Sequence, residues 1–137
     1  EAGQLNYLIS RFLNHTVVRD VMVQDVPVIA ESASIDDAAR QIIEREVNHL
    51  PVLSADGRLA GIVTSWDIAK AVAGRHRCLE EIMTRTVITS TADETIEAAV
   101  KRMGKFNISA LPVVDADQRV IGIISSDGIS SLVGRCT

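Results

Sequence analysis

Aromatic rings are scarce in this sequence: one Trp, one Tyr and two Phe make up 3% of 137 residues, against 47% hydrophobic residues in all. Packing therefore rests on Ile, Val, Leu and Ala, the β-branched and small side chains that suit strands and helix faces laid together. Cysteine is limited to Cys78 and Cys136. They stand far apart and form no C-x-x-C pair, so neither a zinc site nor a disulfide framework is indicated, and reduced thiols in a cytoplasmic setting are expected. His15, His49 and His76 show no metal-ligand spacing either. A basic excess is missing: Lys+Arg 14 against Asp+Glu 18 gives a net charge of −4, without the positive footprint of a nucleic-acid binder. No apolar run reaches the roughly 20 residues that cross a bilayer, and no signal-peptide pattern opens the chain, so no membrane partner is expected. The first residue is Glu1 rather than Met, which points to a processed chain or a piece of a longer one.

What is present is a repeat. Pro112 lies 61 positions after Pro51, and Gly122 lies 61 positions after Gly61. At that single offset residues 21–68 overlie 82–129 without a gap, matching Met22 to Met83, Ile35 to Ile96, Leu50 to Leu111, Asp56 to Asp117 and Ile62 to Ile123. A unit of about 60 residues buries its own apolar face poorly, so two copies are expected to pack face to face and share a cleft.

Within each unit the hydrophobic period switches. Residues 26–30 read as a strand; Ser34 and Asp37 then form a capping box for a helix with Ile35, Ala38, Ala39, Ile42 and Ile43 at helical spacing. Residues 50–53 and 59–64 read as strands flanking an Asp56-Gly57 turn, and 66–72 as a helix ended near Gly74. The second unit repeats this as strand 87–89, helix 95–105, strands 111–115 and 120–125, and helix 126–133. Residues 74–78 are the linker, leading into a helical turn at 79–83. Ahead of the repeats, Leu5, Leu8, Ile9, Phe12 and Leu13 share one face of an amphipathic helix, a connection to an upstream domain or a regulated partner. The fold class is α/β (α+β): two β-α-β-β-α motifs packed with pseudo-two-fold symmetry, small mixed sheets flanked by helices. The helical faces at 38–43 and 68–72, with their repeats, are too apolar for a monomer, and a two-fold homodimer is expected.

The doubled pattern of Gly61-Ile62-Val63-Thr64 and Gly122-Ile123-Ile124-Ser125 ahead of a helix follows Leu-Pro-Val at 50–52 and 111–113 and Val-Met or Ile-Met-Thr-Arg at 21–22 and 82–85. It resembles tandem CBS domains, the Bateman module named after cystathionine β-synthase. Its boundaries are then 1–15 for the linker helix, 16–76 for CBS motif 1 and 77–134 for CBS motif 2. More narrowly, residues 47–52, 64–70 and 81–85 resemble the CBS pairs of archaeal proteins tied to homocysteine and methionine synthesis, some of which bind S-adenosylmethionine or methylthioadenosine. The resemblance implies a non-catalytic sensor of adenosine-containing ligands, bound in the cleft between motifs, that pairs with a second copy.

The residues themselves carry a compatible chemistry. Thr64 and Asp67 stand where a strand ends and a helix begins, so a hydroxyl and a carboxylate converge beside free helix N–H groups; a ribose diol fits that set, and so does a plain capping box. Asn48, His49, Leu50 and Pro51, with Ser109, Ala110 and Pro112 in the second repeat, enter the following strand and offer backbone groups to an adenine edge. Val28, Val47, Ile88 and Ile108 either sandwich its ring or serve as ordinary core. Trp66 adjoins Asp67 and offers an emission reporter. In the second repeat Thr64 becomes Ser125 and Asp67 becomes Gly128, with Asp127 one position early, about 100° around a helix; unequal sites are expected. Met22 and Met83 read as core gap-fillers or as contacts to a methylthio group. Arg85 and Lys105 read as surface charges or phosphate contacts, and the His76-Arg77-Cys78 stretch lacks the third group that would orient a nucleophile. Phosphates need several converging cations, which favours S-adenosylmethionine or methylthioadenosine over AMP or ATP. A dimerisation module with vestigial pockets is the other reading; no catalytic residue, metal or cofactor is expected.

Overall fold

A computed structural model of the chain describes residues 2–134; Cys136 lies outside the described residues. Helix α1 (Ala2–His15) comes first, followed by a 3-10 turn at Val18–Asp20. Strand β1 (Ile29–Ala30), helix α2 (Ile35–Arg45), strands β2 (His49–Leu53) and β3 (Leu59–Thr64) and helix α3 (Ser65–Gly74) complete the first repeat. A single helical turn, α4 (Leu79–Ile82), leads to α5 (Ile96–Phe106), strands β4 (Ala110–Val114) and β5 (Val120–Ser125), and α6 (Ser126–Gly134). The mixed α+β class is as the patterning predicts.

Local chemistry explains the boundaries. At the start of α2, the Ser34 hydroxyl accepts from the Asp37 N–H at 3.0 Å and the Asp37 carboxylate accepts from the Ser34 N–H at 3.3 Å, the expected capping box. Ile35, Ala38 and Ile42 form its buried face, whereas Ile43 points outward. Glu46 and its repeat mate Asn107 both close their helices in the left-handed region, each at φ 54°. Gly57 holds φ 84° in the turn between β2 and β3, where the Asp-Gly pair is placed to do so.

The first sheet runs β1-β2-β3, with β1 parallel and β3 antiparallel to β2; β4 and β5 form a separate two-stranded sheet. Of the two expected lead-in strands, one is shorter than the patterning suggests and the other is absent. Of residues 26–30 only Ile29 and Ala30 pair, opposite Val52 and Leu53, and Pro27 among the rest has no N–H to give. Residues 87–89 form no strand; Ser90 alone bridges to Val113. The chain turns immediately afterwards because the Glu94 carboxylate accepts the Thr91 N–H at 2.9 Å. Arg102 holds that carboxylate at 2.6 Å, keeping Glu94 below the usual carboxylate range, and also donates to the Thr89 carbonyl at 2.8 Å. The corresponding first-repeat positions are Ala33 and Gln41, so only the second repeat has this clamp.

The chain forms two compact units that interleave the repeats. One joins Val26–Val87 with Ala116–Val120; the other joins the chain up to Asp25 with Ile88–Asp115 and the stretch from Ile121 onward. The core of the β1–β3 unit holds Ile35, Leu50, Val52 and Val63, together with Leu79 and Met83 from the segment that leads into the second repeat. In the β4–β5 unit, Val18 is buried beside Ile96, Leu111, Val113 and Ile124, with Met22, Phe12 and Leu13 packed against them. Each fully buried aliphatic of this kind contributes about 1.5–3 kcal/mol, a large share for units this small. The two methionines sit where glycine leaves room: a Cβ on Gly61 would come within 2.8 Å of the Met83 sulfur, and one on Gly122 within 2.7 Å of the Met22 sulfur. Both therefore fill core gaps.

Candidate functional site

In the β1–β3 unit, β3 delivers Thr64 to the start of α3. Its hydroxyl accepts from the Asp67 N–H at 3.1 Å, and its own N–H donates to Asp67 Oδ2 at 2.9 Å, a complete capping box. The Asp67 side chain is only 15% exposed, and its other oxygen lies 3.6 Å from Lys70 Nζ. Lys70 also stands 5.9 Å from the centroid of the Trp66 ring. Asp67 is thus oriented from both sides and turned toward the strand ends.

Register brings β2 to the same place. His49 is directly opposite Thr64, and the Ser65 N–H donates to the Asn48 carbonyl at 3.1 Å while the Ser65 hydroxyl donates to Asn48 Oδ1 at 3.4 Å. Burial pushes the His49 imidazole below its ordinary pKa, and the nearby Asp67 carboxylate opposes that shift. Leu50 and Pro51 are fully buried, backbone included, so the accessible residues of this stretch are Asn48 and His49. Because β1 joins only at Val52, the 49–51 stretch of β2 has a strand neighbour on the β3 side alone. Val47 packs against the core, and Val28 is half-buried just ahead of β1. Trp66 is 68% exposed, which suits an emission reporter.

The β4–β5 unit repeats the frame without the charge. The Ser125 hydroxyl accepts from the Gly128 N–H at 3.0 Å, and the Ser126 N–H donates to the Ser109 carbonyl at 2.9 Å. Asp127 is exposed in the first turn of α6. Ala110 and Pro112 are buried, and Ile88 and Ile108 pack against that unit's core. The structure therefore gathers Asn48, His49, Thr64, Trp66 and Asp67 in one unit and Ser109, Ala110, Ser125 and Asp127 in the other. Lys70 is the participant that patterning overlooked, although its i,i+3 spacing from Asp67 is the available signal. Among the described residues no group of three or more His, Cys, Asp or Glu could hold a metal, and no helix is long and apolar enough to cross a membrane.

This frame, a strand ending in Thr or Ser that caps the next helix, twice in one chain, matches the CBS domain over residues 18–74 and again over 79–134. The chain belongs to the CBS-domain family. As a CBS pair it is similar to the CBS domain pair of protein MJ0100 in complex with 5′-methylthioadenosine and S-adenosyl-L-methionine, at 44% identity and a TM-score of 0.85, covering 89% of this chain and 98% of that one. CBSX2 of Arabidopsis thaliana in complex with AMP is 26% identical at a TM-score of 0.77, covering 88% and 97%. Among longer relatives, a homoserine O-acetyltransferase of Methanosphaerula palustris is 62% identical over 98% of this chain and 28% of that protein. One from Methanohalobium evestigatum is 52% identical over 97% and 27%. The CBS pair thus spans little more than a quarter of these archaeal proteins.

Proposed function

We propose that this CBS pair is a regulatory module that binds an adenosine-containing metabolite, with S-adenosylmethionine or methylthioadenosine preferred to AMP or ATP. The observation that carries the reading is the shielded Asp67 carboxylate, held by Thr64 and Lys70 beside Asn48 and His49, in a chain 44% identical to a CBS pair solved with those two ligands. Asp67 anchors the ribose hydroxyls, and Asn48 and His49, the accessible residues of the 48–51 stretch, read the adenine edge. Lys70, the cation beside Asp67, is engaged with that carboxylate and the Trp66 ring, which supports a ligand without phosphates. The module itself is non-catalytic, cytoplasmic and homodimeric on this reading. It regulates an acetyltransferase of the kind its longer relatives are named for, within the same chain or as a separate partner.

Thermal melts and Trp66 emission titrations against the four compounds test this. A hundredfold excess over the dissociation constant stabilises the fold by about 2.7 kcal/mol. The larger shift is expected with S-adenosylmethionine or methylthioadenosine; a larger shift with AMP or ATP reverses the ranking, and none with any compound favours the dimerisation module.

The unequal repeats give a second expectation. Gly128→Asp supplies the missing carboxylate, and a Cβ there meets only the Ser125 hydroxyl, at 3.1 Å, which can rotate away. A capping box should form and stabilise α6 by about 0.5–2 kcal/mol. Calorimetric titration should then show a second, or a tighter, binding event; unchanged stoichiometry and affinity would mean that position 128 does not set the difference.

A further inference from the structure

The first turns of α3 set a cation against the site's own carboxylate. Asp67 and Lys70 are the only charged residues of α3, and they meet at 3.6 Å between Oδ1 and Nζ, while Oδ2 accepts the Thr64 N–H. A ribose that donates to Asp67 therefore does so beside an ammonium. The same ammonium stands 5.9 Å from the centroid of the Trp66 ring, and Trp66 is the only Phe, Tyr or Trp of the unit formed by Val26–Val87 and Ala116–Val120. His49 adds no charge to this pair at neutral pH, because burial holds its imidazole below the ordinary value. In the second repeat both members are missing together: Asp67 becomes Gly128 and Lys70 becomes Ser131.

Sulfur-bearing adenosine ligands come in two charge states, the neutral thioether and the cationic sulfonium. A sulfonium gains from a nearby carboxylate and from the face of an aromatic ring. Lys70 engages both of those groups here. We propose that Lys70 makes the Asp67 site selective for ligand charge, so that it takes thioether nucleosides such as methylthioadenosine and disfavours the sulfonium of S-adenosylmethionine. The inference rests on the adenosine reading of this site and adds which ligand of that class it admits. Once Asp67 holds the ribose hydroxyls, the 5′ sulfur lies only a few bonds further along the sugar, so the ammonium acts on it directly. Asp67 is shielded from water, which preserves the interaction, whereas the Lys70 side chain is 59% exposed and can be replaced without disturbing the core.

The test is calorimetric titration of the full chain with S-adenosylmethionine, S-adenosylhomocysteine and methylthioadenosine, on the parent, Lys70→Gln and Lys70→Arg. S-adenosylhomocysteine carries the same amino-acid tail as S-adenosylmethionine without the sulfonium charge, so the ratio of their affinities cancels any contact between Lys70 and the tail carboxylate. The parent is expected to bind the two thioethers more tightly than the sulfonium. Lys70→Gln should raise the affinity for S-adenosylmethionine relative to S-adenosylhomocysteine by about threefold or more, as removal of one charge at this range implies. Lys70→Arg should keep the parent's ratio, and added salt should narrow the parent's gap. A parent that prefers the sulfonium, a gap that salt does not change, or a folded Lys70→Gln protein with the parent's ratio overturns the charge selection while the adenosine reading stands. A parent that binds none of the three overturns the adenosine reading and this inference with it.

Discussion

Gly61→Ala is expected to lower the melting temperature by about 5–15 °C. A Cβ at that position would lie 2.8 Å from the Met83 sulfur, 3.1 Å from Met83 Cγ and 2.9 Å from the Thr84 carbonyl oxygen. The thioether can swing aside, but the carbonyl cannot move freely. It accepts from the Ile62 N–H at 3.0 Å, while the Thr84 N–H donates to the Ile62 carbonyl at 2.9 Å, so retreat breaks the bridge that fastens the lead-in segment to β3. Overpacking costs about 1–3 kcal/mol, and each lost backbone hydrogen bond about 1 more. Gly122→Ala should behave alike, since its Cβ would meet the Met22 sulfur at 2.7 Å and the Val23 carbonyl at 3.0 Å. Denaturant or thermal unfolding checks both; alanine variants as stable as the parent would show that the lead-in segments are not clamped on these glycines.

Asp67→Ala should weaken binding of the adenosine ligand by about tenfold to a hundredfold. A hydrogen bond to a charged group contributes about 1.5–3 kcal/mol, and 1.4 kcal/mol is a factor of ten in affinity. The same change removes the acceptor of the Thr64 N–H, so some stability is lost with it, about 0.5–2 kcal/mol for a helix cap. Asp67→Asn separates the two roles, because the amide oxygen still accepts from Thr64 while the charge is gone. Its melting temperature should stay near the parent's and its affinity should fall most of the way toward the alanine variant's. If both variants fold and titrate like the parent by calorimetry, Asp67 is a helix cap and nothing more.

Much of this site is legible in the residues. Thr64 three positions before Asp67, at a strand-to-helix junction, can form a capping box whatever surrounds it, and the box is there. Ser34 with Asp37 follows the same rule, and Ser125 with Gly128 keeps only the half that a backbone N–H can make. His49 opposite Thr64 depends on strand register, which a two-residue period and the Asp-Gly turn constrain. The absence of the strand at 87–89 was not legible, because its apolar run suits a strand and only the long-range pairing, confined to Ser90 opposite Val113, decides otherwise.

The sequence by itself determined the repeat, the helix-hairpin-helix order within it, the helix caps and the inequality between Asp67 and Gly128, since these follow from local spacing and side-chain chemistry. Only the tertiary structure decided which repeat each lead-in segment packs on. Met22 and Met83 match each other at one offset, as do Gly61 and Gly122, so either methionine suits either glycine as far as pattern goes. The structure seats Met83 on Gly61 and Met22 on Gly122, placing each segment on the repeat other than the one it leads into. The physical reason is that a symmetric pattern makes the two seatings equal in local energy. The choice then falls to long-range packing: Leu79 enters the core with Leu50 and Val63, and Val18 the core with Leu111 and Ile124.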